Sequence, residues 1–315
     1  MNMDIDAAIS EPLARHIEFH NTFNTNMKVS FGALALASEQ SEEAKAEEAV
    51  TLPTGAEPWG RETRWRKLDD RVRDAAVFLA ELGIARVVAA FEDYAIGAKA
   101  EFDRAMLRES APKRSGCQAL HGFDAIVGLD PAAVADLGLL AGFFDVARNC
   151  VVHRSNRANA QLATLRADPA LATALTRLPR RVGKWAVSLP PVEEGSIVAW
   201  RPRHAILASD VSYRSAVALD RSLVGRMGPG TLAGMAAHWA FFANPAAPCP
   251  AKHSPEIMVR SQLTDRYKVR GATLADTVAL LREAGRWDAV RAAWDARYPN
   301  GPETTLARRR RARRS

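Results

Sequence analysis

"AGFFDVARNCVVHRSNRANA", residues 141–160, has the apolar rhythm of a helix but carries two residues foreign to a core, Arg148 and His153. At about 100° per residue from Pro131, the side chains of Leu137, Leu140, Ala141, Phe144, Val151 and Val152 share one face. Arg148 falls in the middle of that face. A charge there is costly unless it is paired or reaches water. One reading packs the stem and lets the head snorkel out, or buries the charge in a salt bridge. The other has the face lining a groove or a subunit interface. His153 lies about 140° around from Arg148 on an ideal helix. The two meet only if the helix ends or bends, if the arginine's length closes the gap, or if a second copy supplies one of them. Asn149 lies between them in angle and can orient either by hydrogen bonding. Glu92 and Asp93, upstream, are candidate acidic partners for Arg148.

The chain around this stretch reads as mostly helical. Leu68, Val72, Ala75, Ala76 and Leu79 recur at three- and four-residue steps, predicting a helix that ends near Gly83. A second helix is expected from about Ile84 to Leu107, with Val87, Val88, Phe91, Ala95 and Phe102 inward. "KRSGCQALHGFDAIVG" (113–128) reads as a loop. Asp130–Pro131 and Asp168–Pro169 are each an N-cap followed by a first-turn proline. "KWAVSLPPVEEGSIVAWRPRHAILA" (184–208) suggests a short β-hairpin around a Pro-rich turn. Helical spacing returns over 209–227 and 230–243, and 273–299 predicts a helical hairpin. The resulting organisation is an irregular N-terminal segment and linker over 1–60, a helical domain over 61–230, a helical extension over 231–300 and an Arg-rich tail over 301–315. The fold class is mostly α, with that one possible hairpin.

The 315 residues are 48% hydrophobic and 25% charged, which is an ordinary globular balance. "GLLAGFF" (138–144) is too short to span a membrane, and the acidic start "MNMDIDAAISEP" has no apolar signal core. A cytoplasmic location with no membrane contact is expected. Cys117, Cys150 and Cys249 are far apart and odd in number, so neither a disulfide framework nor a CxxC metal spacing arises. Six arginines lie in the last eight residues, and without them the formal charge falls from +7 to +1. The basicity is a tail, which either attracts nucleic acid without reading its sequence or is a solvated end.

"RNCVVH" (148–153) resembles the R-x4–6-H signature of the HEPN superfamily, whose usual form has a polar residue directly after the arginine, here Asn149. "AAFEDYAIGAKAEF" (89–102) is similar to a helix found upstream in that superfamily, and the resemblance covers roughly residues 61–230. It implies a helical bundle that pairs as a homodimer and brings two motifs into one cleft. Many members are metal-independent endoribonucleases of toxin–antitoxin or antiphage type. Others are non-catalytic modules that bind RNA or a protein partner, such as an antitoxin or other regulatory protein. RNA carries its own nucleophile, the 2′-hydroxyl. Cleavage then needs a group that moves protons near neutrality, and histidine is that side chain. It also needs positive charge on the phosphate, which a planar guanidinium supplies. The resemblance thus assigns proton transfer to His153, phosphate stabilisation to Arg148 and orientation to Asn149. Arg154 and Arg157 are placed to contact the RNA backbone or are a solvated helix end. No cofactor or metal is called for.

Other constellations carry less. His16 and His20 in "HIEFH" have a metal-compatible i, i+4 spacing but no third ligand in view. Cys150 lies near Phe143 in angle and reads as a packed thiol rather than a nucleophile paired with His153. "RMGPGTLAG" (226–234) reads as a turn between helices, since no Gly-Lys-Ser/Thr follows it. His238 reads as a structural histidine in a buried helix. Trp287 and Trp294 are expected to pack on the body, and the mixed charges between them (Asp288, Arg291) make a poor DNA-reading face.

Overall fold

Ser10 starts the first helix. Its hydroxyl accepts a hydrogen bond from the Leu13 N–H at 3.2 Å, and Pro12 fits the first turn, where no N–H is needed. Helix α1 runs Glu11–Glu43. Within the stretch expected to be irregular, 1–60, residues 11–43 are therefore helical. Leu13, His16, His20, Phe23 and Met27 are all buried, at steps of three and four. Two polar residues in that inner stripe hid its period.

The computed structural model describes residues 7–43, 50–51, 64–65, 68–105, 131–178, 188–243 and 254–299. Strands β1 (Val50–Thr51) and β2 (Arg64–Trp65) pair antiparallel. Then come α2 (Leu68–Ala105), α3 (Pro131–His153), α4 (Ala160–Ala167), α5 (Pro169–Arg177) and α6 (Pro202–Ala237). A π-turn, His238–Phe242, follows α6. Helices α7 (Pro255–Asp265), α8 (Leu274–Glu283) and α9 (Trp287–Arg297) complete the described chain. The fold is mostly α. No described helix is long and apolar enough to cross a membrane.

The chain divides into two compact units. One holds residues 1–15, 94–130 and 217–315, and the other 16–93 and 131–216. The division falls at 216/217, earlier than the change near residue 230 that the sequence suggests, and the first residues join the C-terminal part. In the second unit, α3 packs on α4 and α5, and Leu140, Phe143, Phe144, Ala147 and Cys150 join Ile84, Val87, Trp200 and Val211 in one core. In the first unit, Phe102, Leu223, Phe241, Leu263, Tyr267, Leu281 and Val290 are buried, and α7, α8 and α9 pack together.

Two local expectations change. The helix predicted to end near Gly83 continues through it. A Cβ there would stand 2.9 Å from the Ala205 Cβ and 3.1 Å from the Met27 Cε, so this glycine marks a close approach rather than a stop. Of the β-hairpin expected near 184–208, residues 184–187 lie outside the described residues, and no strand forms over 188–208. Residues 188–201 are irregular, with only an isolated bridge from Ile197 to Arg157, and Pro202 opens α6. Pro190 and Pro191 have no N–H to give a ladder. In α6, Gly228 (φ 69, ψ 172) and Pro229 do make the break read from the sequence. Asp168 caps α5 as expected, accepting from the Ala170 N–H at 2.8 Å. The loop at 113–128, the N-cap Asp130 and the tail lie outside the described residues.

Candidate functional site

The buried side of α3 is set by Leu140, Phe143, Phe144, Ala147 and Cys150. Small Ala147 lies at its centre, and Val152 is 53% exposed. Arg148 therefore flanks the buried stripe, roughly 100° from its middle, rather than interrupting it. Its side chain keeps 25% of its surface and does not need to be dry.

The guanidinium is held from two sides. Its Nη1 donates to the Asn149 Oδ1 at 2.8 Å, and its Nη2 donates to the Glu92 Oε2 at 3.3 Å. Glu92 comes from α2, 56 positions earlier, and Asp93 beside it is exposed. Of the two acids singled out in the sequence, Glu92 is the one that pairs. A carboxylate and an amide fix the plane of the guanidinium more tightly than water would.

His153 is the last residue of α3 and is exposed. The helix stays regular to that point, so the 140° separation holds, and no hydrogen bond joins His153 to Arg148. Arg148, Asn149 and Glu92 thus form one cluster, and His153 stands at the helix end next to it in sequence. Arg154 and Arg157 are exposed as well. Arg157 is partly engaged, its Nη1 donating to the Gly195 carbonyl at 3.2 Å.

What shapes the helix end is a residue the sequence reading passed over, Asn156. Ser155 (φ 50) and Asn156 (φ 62) turn left-handed, and the Asn156 N–H closes back on the Cys150 carbonyl at 3.0 Å. The Asn156 amide donates to Glu81 at 2.5 Å and to the Val198 carbonyl at 2.8 Å, and its Oδ1 accepts from the Trp200 indole N–H at 2.8 Å. Burial pushes the Glu81 carboxyl above its ordinary value, and the bond from Asn156 partly offsets this. One side chain thus anchors the turn that carries His153, Arg154 and Arg157. An asparagine just past a helix end was the available signal, because it tolerates left-handed backbone.

His20, Cys150 and Trp294 pack within the fold. His20 contacts the Ser209 hydroxyl at 2.8 Å and stacks on Tyr213, with ring centroids 4.6 Å apart. No group of three metal-ligating side chains is found among the described residues. Cys150 is free and 1% exposed, as its angle predicts. Trp294 packs on Tyr298 with centroids 5.7 Å apart. No family model, curated protein or solved structure matches the chain.

Proposed function

We propose that the protein is a metal-independent endoribonuclease of the HEPN type, acting as a homodimer. The observation that carries the reading is the state of Arg148. It sits at the open end of α3, braced by Glu92 and Asn149, with exposed His153 and Arg154 beside it in sequence. A braced guanidinium keeps a fixed direction and meets a phosphate without first losing side-chain freedom. In the proposed reaction His153 takes the 2′-hydroxyl proton, the 2′-oxygen bonds to phosphorus, and the bond to the 5′-oxygen breaks. A 2′,3′-cyclic phosphate and a 5′-hydroxyl end result, the leaving oxygen taking up a proton. Arg148 meets the charge that builds on the non-bridging oxygens. Since one regular helix holds Arg148 and His153 apart, two copies meeting at this end supply the constellation. Exposed Val152 belongs to the same surface.

The Arg148–Glu92 ion pair favours a second reading, a non-catalytic module that binds RNA or a regulatory protein, because the pair accounts for the arginine without a substrate. Incubation with mixed cellular RNA in EDTA separates the two. The first reading expects cleavage by the wild type and at least 100-fold less by Arg148→Ala and His153→Ala, both with unchanged circular dichroism. Cleavage surviving in either variant would remove that residue from the site. Intact RNA in every lane would favour the binding module.

A further inference from the structure

In the unit formed by residues 1–15, 94–130 and 217–315, a cavity of about 270 Å³ is lined by Arg104, Arg286, His238, Thr231, Gly230 and Gly234, among others. Among the described residues neither Arg104 nor Arg286 has a carboxylate within ion-pair distance. Arg266, nearby, differs in this respect. It lies 3.1 Å from Glu11 and 3.8 Å from Glu101, so its charge is answered. Arg104 is exposed and Arg286 half-buried, and two unanswered guanidinium groups on one concave surface repel each other. We propose that this cavity is a binding site for the phosphate group of a small molecule, separate from the Arg148 cluster.

Three further features fit that ligand. Gly228 leaves helical geometry and Pro229 has no N–H, so Gly230 and Thr231 stand in the first turn of the run that continues to Ala237. The start of a helical run favours an anion through its peptide dipoles. Thr231 adds a hydroxyl that can donate to a phosphate oxygen. Gly234 lets the Arg286 stem lie against α6, since a Cβ there would be 3.3 Å from the Arg286 Cδ and 3.4 Å from its Nε. On the other wall, Arg104 stacks over the Trp239 ring at 5.1 Å, which limits its freedom. The pKa of His238 is lowered by burial first, and then by the positive charges of Arg104, Arg286 and Arg266. An anion in the cavity would reverse that electrostatic part. The volume admits a phosphate with a small organic body, and it is too small for a nucleic-acid strand to pass through.

Calorimetric titration of the full chain with inorganic phosphate and with adenosine 5′-monophosphate tests the site. One site per chain is expected for both, competed by sulfate and weakened at least tenfold in Arg104→Gln and in Arg286→Gln. Proton NMR gives a readout that needs no arginine variant. The His238 ring resonance, assigned through His238→Gln, should move on adding phosphate while the buried histidines His16, His20 and His204 stay in place. His153→Ala should bind phosphate like the wild type, which keeps this outcome distinct from the ribonuclease reading. Absence of binding, binding untouched in both arginine variants, or a still His238 resonance would each overturn the proposal. So would capture by Arg104 and Arg286 of an oligoribonucleotide without terminal phosphate but of neither small probe.

Discussion

His204 has a single protonation state that its surroundings accept. Its Nδ1 accepts from the Arg201 N–H at 3.0 Å, so the hydrogen must sit on Nε2, which donates to the Ser188 carbonyl at 3.0 Å. A second proton would set one N–H against another. Burial is the largest cause of its pKa being lowered to about 4, and the Ser188 bond only partly offsets it. The folded value lies below the unfolded one, so this histidine contributes its full stability above about pH 6.5 and loses it as pH falls toward 4. The loss should be of the order of 2–3 kcal/mol. Urea unfolding at pH 7 and pH 4.5 checks it. His204→Leu should be less stable at pH 7, because the Arg201 N–H and Ser188 carbonyl lose their partner, yet should show a flatter fall between the two pH values. A variant with the wild-type slope would mean that other groups carry the acid sensitivity. The same logic of partners governs Arg148. Alone it looks foreign to a helix face, and with Glu92 and Asn149 it is a satisfied half-buried group.

Helix α2 runs through Gly83 because of what lies opposite, and the consequence is measurable. Gly83→Ala gains about 1 kcal/mol of helix propensity. It also drives a methyl to 2.9 Å from the Ala205 Cβ, in a core where overpacking costs about 1–3 kcal/mol. A net loss is expected. Adding Ala205→Gly should recover about 1–2 kcal/mol beyond the sum of the single changes, read as the coupling energy in a denaturation cycle. Additive effects would mean that the two backbones part freely. This glycine also shows why element boundaries were only partly legible. A glycine in an apolar rhythm reads as a stop, because the residue it makes room for is more than a hundred positions away. Asp168–Pro169, a signal that acts within four residues, opens α5 as its chemistry requires. Inner positions of α2 from Val87 to Phe102 were also plain, since their period is unbroken. Helix α1 was missed because His16 and His20 occupy its buried stripe, and a period scored by hydrophobicity counts them as outward. At the site, the type and order of Arg148, Asn149 and His153 were readable, whereas the Asn156–Glu81–Trp200 hydrogen bonds were not. They join three stretches that only the folded chain brings together.

The buried titratable groups of the two compact units shift so that the units should respond oppositely to acid. In residues 16–93 and 131–216, the pKa values of His16 and His204 are lowered to about 4, burial being the first cause for both. Their folded values are depressed, so stability there drains away as pH falls from 6.5 toward 4, with the raised Glu81 offsetting a part. In residues 1–15, 94–130 and 217–315 the main buried groups are acids. Asp220 is fully buried and receives the Ser10 N–H at 2.8 Å and the Ser10 hydroxyl. Burial pushes it up to about 6, the two Ser10 bonds pull it back in part, and the charge of Glu101 adds to the rise. Glu101 is itself raised by burial, although the Tyr267 hydroxyl bonds it at 2.5 Å and Arg266 lies close. A carboxyl whose folded value is raised holds its proton more tightly in the folded state. Its contribution is greatest below the unfolded pKa of about 4 and is lost as pH rises through about 6. His238 opposes this only weakly, because it is partly exposed. Acidification from pH 6.5 to 4.5 should therefore weaken the first set of residues and spare or strengthen the second. Hydrogen exchange followed peptide by peptide, with rates corrected for intrinsic pH dependence, reads both at once. Protection in α3, α4 and α5 should fall over that range while protection in α7, α8 and α9 holds or rises. Asp220→Ala should reduce the gain in the second set, leaving the part that Glu101 supplies, without altering the fall in the first. Parallel loss of protection in both sets would mean that overall positive charge, rather than these buried groups, governs the acid limb.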